Sequence, residues 1–364
     1  MSRIKANRMD LTFERYQDEF EERALKVLRS GWYILGHELE GFEQEWASYI
    51  GSGYCVGLAS GLDALWLSFR ILGTGKGDEV IVCSNAYIAC VMGITMNGAT
   101  PVFVEPDIYD NIDADRIEEK ITDRTKAILA VHLYGQCCDM DKIMSIARKH
   151  KLRVVEDCAQ SHGNHWKGKK AGTFGDIGCF SFYPSKGCGA FGDGGAVVTD
   201  SRELADKFRI FRNYGSEKRY YNMVVGANSR LDEIQAGLLS VKLSHLDELN
   251  AERVRIAERY TREIDNPCVT LPRVRPGADS SWHQYVIHCE RRDELKAYLS
   301  DNDIDSLIHY PIPPHLQEAY KYLGYKRGDF PIAEKYADEV LSLPMYNGMT
   351  DEDQQRVIEA INRF

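Results

Sequence analysis

The sequence predicts an α/β fold with helices on both faces of a sheet, and three observations carry that expectation. Short strand-like apolar runs recur through the first half of the chain. Helical stretches separate most of them. The C-terminal third changes character and mixes short strands with helices in an α+β pattern. A chain of 364 residues has the length of two domains, or of one large domain with a smaller appendage.

Phe13, Tyr16, Phe20, Ala24, Leu25 and Leu28 recur at helical spacing and predict a helix over 12–30, ending at Gly31. A second helix is expected from Glu38 to Tyr49. Tyr54–Leu58 reads as a strand, Ala59-Ser60-Gly61 as the turn after it, and Leu62–Leu72 as a helix. Further strands are expected at Glu79–Cys83, Pro101–Val104, Ala127–Val131, Arg153–Glu156 and Cys179–Phe182, with Ala196–Thr199 adding a hairpin-like one. From Leu231 to Ile264 the helical spacing runs too long for an average helix, which predicts one bent helix or two, crossing between domains before Asn266-Pro267. The remainder reads as a strand at Tyr285–Cys289 and helices at Asp293–Asp301, Tyr336–Leu341 and Glu352–Ile361. The expected division is a large domain over 1–245 and a small one over 246–364.

Composition excludes several classes. The formal charge of −10, from 55 acidic against 45 basic residues, argues against a general nucleic-acid binder, which needs a basic face. No apolar run reaches the length of a membrane helix. The basic N-terminus has no apolar core after it and is not a secretory signal. Ten cysteines are scattered singly apart from Cys137-Cys138. They show no zinc spacing and no disulfide framework, so no metal and a reduced, cytoplasmic compartment are expected.

The stretch Gly178–Gly195 carries the chemistry. A strand-like segment delivers Lys186 into a loop with glycines at 187, 189, 192, 194 and 195. Apolar and small neighbours would desolvate its amine, lower its pKa and free the lone pair. The competing reading is a surface lysine. Upstream, Val154-Val155-Glu156-Asp157-Cys158-Ala159-Gln160 is a buried strand ending in a carboxylate and an amide. Such a carboxylate either makes a structural ion pair or holds a ring nitrogen protonated. A nucleophilic lysine with that aspartate is what a pyridoxal phosphate enzyme needs. Gln160 is placed to reach a ring hydroxyl, unless it is a helix-cap amide. Ser60-Gly61, at a helix start, is an anion site, with Ser181 adding a hydroxyl. Tyr87 is a candidate to stack on a ring, against the commoner reading of a core aromatic. Gly187–Gly192 matches GxGxxG, which raises an NAD-dependent dehydrogenase. That fingerprint must open a helix, and here it runs into a β-branched strand.

Ser60–Leu65, Gly77–Val80, Val131–Gly135, Glu156–Gln160, Ser181–Lys186, Gly192–Gly195, Asn228–Ala236 and His309–Gln317 together resemble the DegT/DnrJ/EryC1/StrS sugar aminotransferases, in order over nearly the whole chain. The resemblance implies the aspartate aminotransferase type fold (fold type I), with a mostly parallel mixed sheet in the large domain and a smaller α+β domain. It also implies a homodimer with shared active sites and pyridoxal 5'-phosphate as cofactor. Lys186 then matches the lysine that carries the cofactor, Asp157 the pyridine partner and Gln160 the ligand of the ring hydroxyl. Ser60, Gly61 and Ser181 match phosphate contacts, and Asn228 matches an asparagine reaching the phosphate from the other subunit. Leu62 stands where the family usually has threonine, a contact made largely by backbone. Members with histidine in place of the lysine are dehydratases, and Lys186 argues against that branch.

The family's substrates are nucleotide-linked keto-sugars, with L-glutamate as the expected donor and 2-oxoglutarate as its product. The His309–His315 segment is similar to the subset that aminates C3 of dTDP-3-keto-6-deoxyhexoses, in galactose or glucose configuration. C4-specific amination is the alternative. Tyr183, His309 and Tyr310 are expected to line the sugar. Lys218 and Arg219 are expected to meet the diphosphate, with a solvated loop as the competing reading. A non-catalytic pyridoxal phosphate regulator is the remaining alternative, and the lack of an appended helix-turn-helix segment counts against it.

Overall fold

The computed structural model describes residues 2–364. Seven strands form the central sheet: β1 (Tyr54–Leu58), β2 (Glu79–Cys83), β3 (Thr100–Val104), β4 (Thr125–Val131), β5 (Arg153–Asp157), β6 (Ile177–Ser181) and β7 (Gly195–Thr199). Their spatial order is β1-β7-β6-β5-β4-β2-β3. Only β7 runs antiparallel to its neighbours, pairing Gly195 with Leu58 on one side and Ser181 on the other. Strands β2 and β7 are buried along their whole length, as a sheet covered on both faces requires. The mostly parallel, seven-stranded sheet is the α/β arrangement expected of the large-sheet region.

Helices α1 (Gln17–Ser30), α2 (His37–Ile50), α3 (Gly61–Ile71), α4 (Ile88–Thr95), α5 (Met140–His150) and α6 (Arg202–Phe211) accompany the sheet. Trp46 of α2 anchors an aromatic cluster, with Phe180 and Phe182 edge-on at 5.2 and 5.0 Å. Gly31 ends α1 in the left-handed conformation at φ 68°, as its lack of a Cβ allows.

A short antiparallel hairpin of β8 (Ser216–Lys218) and β9 (Tyr221–Asn222) follows α6. Three expected elements differ in form. The helix over 12–30 is two, Asp10–Arg15 and α1, broken at Tyr16. There the Tyr16 ring stacks 3.8 Å from that of His245. The long 231–264 pattern likewise divides at His245 into α7 (Glu233–Ser244) and α8 (Leu246–Glu263). The helix expected at Tyr336–Leu341 corrects to α10 (Pro331–Glu339) followed by strand β11 (Val340–Leu343). Pro331 presets the first helical turn. The Val-Leu-Ser-Leu run finds its hydrogen bonds with β10 (Tyr285–His288), so tertiary pairing overrides local helical spacing.

Beside a small cluster of Tyr16, Phe20, Leu238, Val241 and Leu249, two larger apolar clusters form. The larger surrounds the seven-stranded sheet. The smaller gathers Tyr260, Tyr285, Leu295, Leu341 and Ile361, from α8, β10, α9 (Arg292–Asp301), β11 and α11 (Asp351–Arg363), with Ile4 from the N-terminus. The segment after His309 crosses back to the first. Phe330 packs edge-on to Phe103 at 5.7 Å, and Glu105 accepts the Ile332 and Ala333 N–H groups at 2.9 and 3.0 Å. This return draws His309 and Tyr310 over the ends of the parallel strands.

Candidate active site

Strands β2, β4, β5 and β6 share their C-terminal edge, where open α/β sheets bind ligands. A cavity of about 500 Å³ lies there. Ten of the thirteen residues expected from sequence line it: Ser60, Gly61, Tyr87, Asp157, Gln160 and Ser181, with Tyr183, Lys186, His309 and Tyr310.

At one end, Ser60 caps α3 and its Oγ accepts the Asp63 N–H at 3.1 Å. The first N–H groups of the helix, at Gly61 and Leu62, then lack intrahelical partners. A Cβ on Gly61 would lie 2.4 Å from Ser181 Cβ, so only glycine lets the helix start approach the Ser181 hydroxyl. Backbone donors, a hydroxyl and the positive helix end can together hold an anion such as a phosphate.

Asp157 ends β5 and is 7% exposed. Its Oδ1 accepts the Ala159 N–H at 3.0 Å and its Oδ2 the Cys90 thiol at 3.0 Å. No cation pairs with it among the described residues, so its charge faces the cavity. Lys186 stands in the loop after β6, its N–H bonded to Tyr183 O at 2.8 Å. Gly189 permits that tight loop, since a Cβ there would fall 2.2 Å from Pro184 O. Burial lowers the Lys186 amine to about 8, against smaller upward pulls from Asp157 and Cys90. The amine therefore has an accessible neutral form near neutral pH.

Gln160 is oriented by its surroundings. Its Oε1 accepts the Tyr134 N–H at 2.7 Å and its Nε2 donates to Tyr310 Oη at 3.0 Å, which turns amide hydrogens toward the cavity. Burial pushes the Tyr310 phenol up, so it stays protonated. The exposed Tyr87 ring lies 4.9 Å from that of Tyr310. His309 Nδ1 meets Ser342 Oγ at 2.7 Å. Burial, then Lys186, lowers His309 to about 4, so it is neutral at pH 7.

These donors fit pyridoxal phosphate: an anion cradle, an unpaired buried carboxylate and a desolvated amine border one cavity. The dehydrogenase reading fails on context, because the glycine loop leads into β7 and not a helix. Lys218, Arg219 and Asn228 lie outside this chain's cavity and are exposed. Lys218 and Arg219 sit over the rings of Tyr221 and Tyr220 at 5.4 and 5.1 Å. His283 and Gln284 line the cavity and escaped the sequence reading. Their signal is two polar residues directly before a buried strand. His132, Glu156 and Cys158 cluster closely, but Glu156 already accepts N–H groups from Gly172, Phe174 and Gly175. His132 Nδ1 accepts the Cys138 N–H. Those lone pairs are spent on folding.

The DegT/DnrJ/EryC1/StrS aminotransferase family matches residues 14–362. A dTDP-3-amino-3,6-dideoxy-α-D-galactopyranose transaminase of Aneurinibacillus thermoaerophilus is 52% identical over 351 residues, covering 96% of each chain. The solved structure of DesV from S. venezuelae, in complex with a ketimine intermediate, is 44% identical. It has a TM-score of 0.98, with 100% of this chain and 98% of that one covered. The sugar aminotransferase Spr1654 from Streptococcus pneumoniae, in its PLP-form, superposes with a TM-score of 0.89 at 28% identity, covering 95% of each chain. With the match spanning almost every residue, the chain belongs to the DegT/DnrJ/EryC1/StrS aminotransferase family.

Proposed function

We propose that this chain is a pyridoxal phosphate-dependent aminotransferase that moves the amino group of L-glutamate to C3 of a dTDP-3-keto-6-deoxyhexose. The product is a dTDP-3-amino-3,6-dideoxyhexose. One observation carries the reading: a desolvated lysine and an unpaired carboxylate share the cavity of a chain 52% identical to a 3-amino-sugar transaminase.

Pyridoxal phosphate, when bound, supplies an electron-withdrawing ring and the carbon that carries the amino group between the two half-reactions. The N–H groups of Gly61 and Leu62, with the Ser60 and Ser181 hydroxyls, would hold its phosphate. Asp157, anchored by Cys90 and Ala159, would set its negative charge against a protonated ring nitrogen. Gln160 would donate to the ring hydroxyl and Tyr87 would cover a ring face. Lys186 Nζ, neutral in part at pH 7, takes the proton from the donor's Cα and returns one to the sugar carbon. Tyr183, His309 and Tyr310 border the acceptor sugar.

The same reading assigns a homodimer with shared sites, acting in the cytoplasm. Tyr220, Tyr221, Met223 and Val225 form an exposed apolar hairpin, which supports burial against a second copy. There Lys218 and Arg219 would meet the substrate diphosphate, and Asn228 the phosphate. Among the described residues no helix is long and apolar enough to cross a membrane.

The test is an assay of purified enzyme with L-glutamate against paired 3-keto and 4-keto dTDP-6-deoxyhexoses. Amination of the 3-keto sugar alone supports the assignment. Preference for the 4-keto sugar overturns its regiochemistry, and amination of neither overturns the function.

A further inference from the structure

Behind the cavity wall that carries Lys186 lies a second pocket of about 80 Å³. Ser185, His283, Gln284 and His309 line both spaces, so the pocket adjoins the reacting region. Its far wall holds Arg253, from α8, which is 7% exposed. The guanidinium donates only to carbonyls: Nε to Trp282 O at 3.1 Å, and Nη2 to His283 O at 2.7 Å and Met345 O at 3.4 Å. Nη1 has no hydrogen-bond partner among the described residues. The neighbouring carboxylate, Glu252, is engaged by Arg15 at 2.9 Å. A buried cation without an anion is costly unless a ligand supplies one. Burial lowers Arg253 to about 10, with Glu252 pulling upward, so it remains charged at neutral pH. Beside it, His283 is 9% exposed and its Nδ1 is buried without a partner.

We propose that this pocket is the carboxylate subsite of the amino donor, with Arg253 as its cationic anchor and His283 in its wall. The pocket is too small for a hexose ring and large enough for a carboxylate with its adjoining methylene. A planar guanidinium matches a carboxylate in geometry. The position suits a dicarboxylic amino acid, whose Cα must reach Lys186 while an acidic group is held nearby. A donor with an apolar side chain leaves Arg253 unpaired, which selects against it. The inference rests on the aminotransferase reading above.

Glutarate is the probe, because it carries both carboxylates of the donor and no amine to react. Its binding to the holoenzyme is measured by calorimetry, and KM and kcat are measured with L-glutamate and with the keto-sugar. Arg253→Lys shortens the cation and loses its fork. Asn7→Asp is the second variant. Asn7 is exposed at the pocket mouth and its Oδ1 accepts the Arg8 N–H at 2.9 Å, a bond that aspartate keeps, so the fold is not at risk. Arg253→Lys should weaken glutarate about tenfold or more, the loss of one charge-assisted contact, and Asn7→Asp should weaken it by like-charge repulsion from a carboxylate at the pocket mouth. The KM for L-glutamate should rise equally, with the keto-sugar KM unmoved. Unchanged glutarate affinity in Asn7→Asp and in folded Arg253→Lys overturns the assignment, as does an equal rise in both KM values. Arg253-dependent glutarate binding in an enzyme that aminates no keto-sugar counts against the reaction and for the pocket.

Discussion

Removing the charge at position 186 should stabilise the cofactor-free protein. Lys186 falls from 10.5 to about 8 because burial strips its ammonium of water. At ~1.4 kcal/mol per pH unit, the folded state disfavours the charged lysine by about 3 kcal/mol. The side chain is half-buried, and water in the cavity brings the expected effect to ~1–3 kcal/mol. The sign follows from proton counts. Below pH 8 both states are protonated and the penalty is fully present. Between pH 8 and 10.5 the unfolded chain holds more protons, so stability rises with pH and the penalty fades. Lys186→Met keeps the stem and removes the charge. Denaturant unfolding of cofactor-free wild type and variant at pH 7 and pH 10 is the assay. The variant should be more stable by ~1–3 kcal/mol at pH 7, with most of the difference gone at pH 10. A variant no more stable at pH 7, or a difference that grows with pH, would refute the claim that desolvation sets the state of this amine.

Asp157→Asn should lower kcat by ~10²-fold or more while pyridoxal phosphate affinity, read by titration of the cofactor-free protein, changes less than about tenfold; near-normal turnover would remove Asp157 from its role. Gly61→Ala forces a Cβ to within 2.4 Å of Ser181 Cβ, which should cost about 1–3 kcal/mol in thermal unfolding and weaken cofactor binding. Cys90→Val leaves Asp157 Oδ2 without its buried donor and should cost ~1–3 kcal/mol, whereas Cys90→Ser should retain most of that stability; equal losses in the two variants would mean that the thiol acts through packing alone.

The residues legible in sequence are those whose own neighbours betray them. Lys186 stands among glycines after a strand, Asp157 at the end of an apolar run, and Ser60-Gly61 at a helix start. His283 and Arg253 were not legible, because the local signal of each is weak. His283 precedes a strand, and Arg253 sits in a helix rich in charge. Their shared pocket exists only where α8 and β10 pack behind the Lys186 loop.

By itself, the sequence determined the succession of the central-sheet strands and the helices between them, the turn at Ser60-Gly61 and the strand-end settings of Asp157 and Lys186. Such features depend on side-chain periodicity and backbone freedom within a few residues. Tertiary structure decided the breaks at Tyr16 and His245, the conversion of Val340–Leu343 into a strand, and the return of His309 and Tyr310 over the cavity. It also decided the chemistry of the amine, since desolvation is a property of everything packed around an atom and not of its neighbours along the chain.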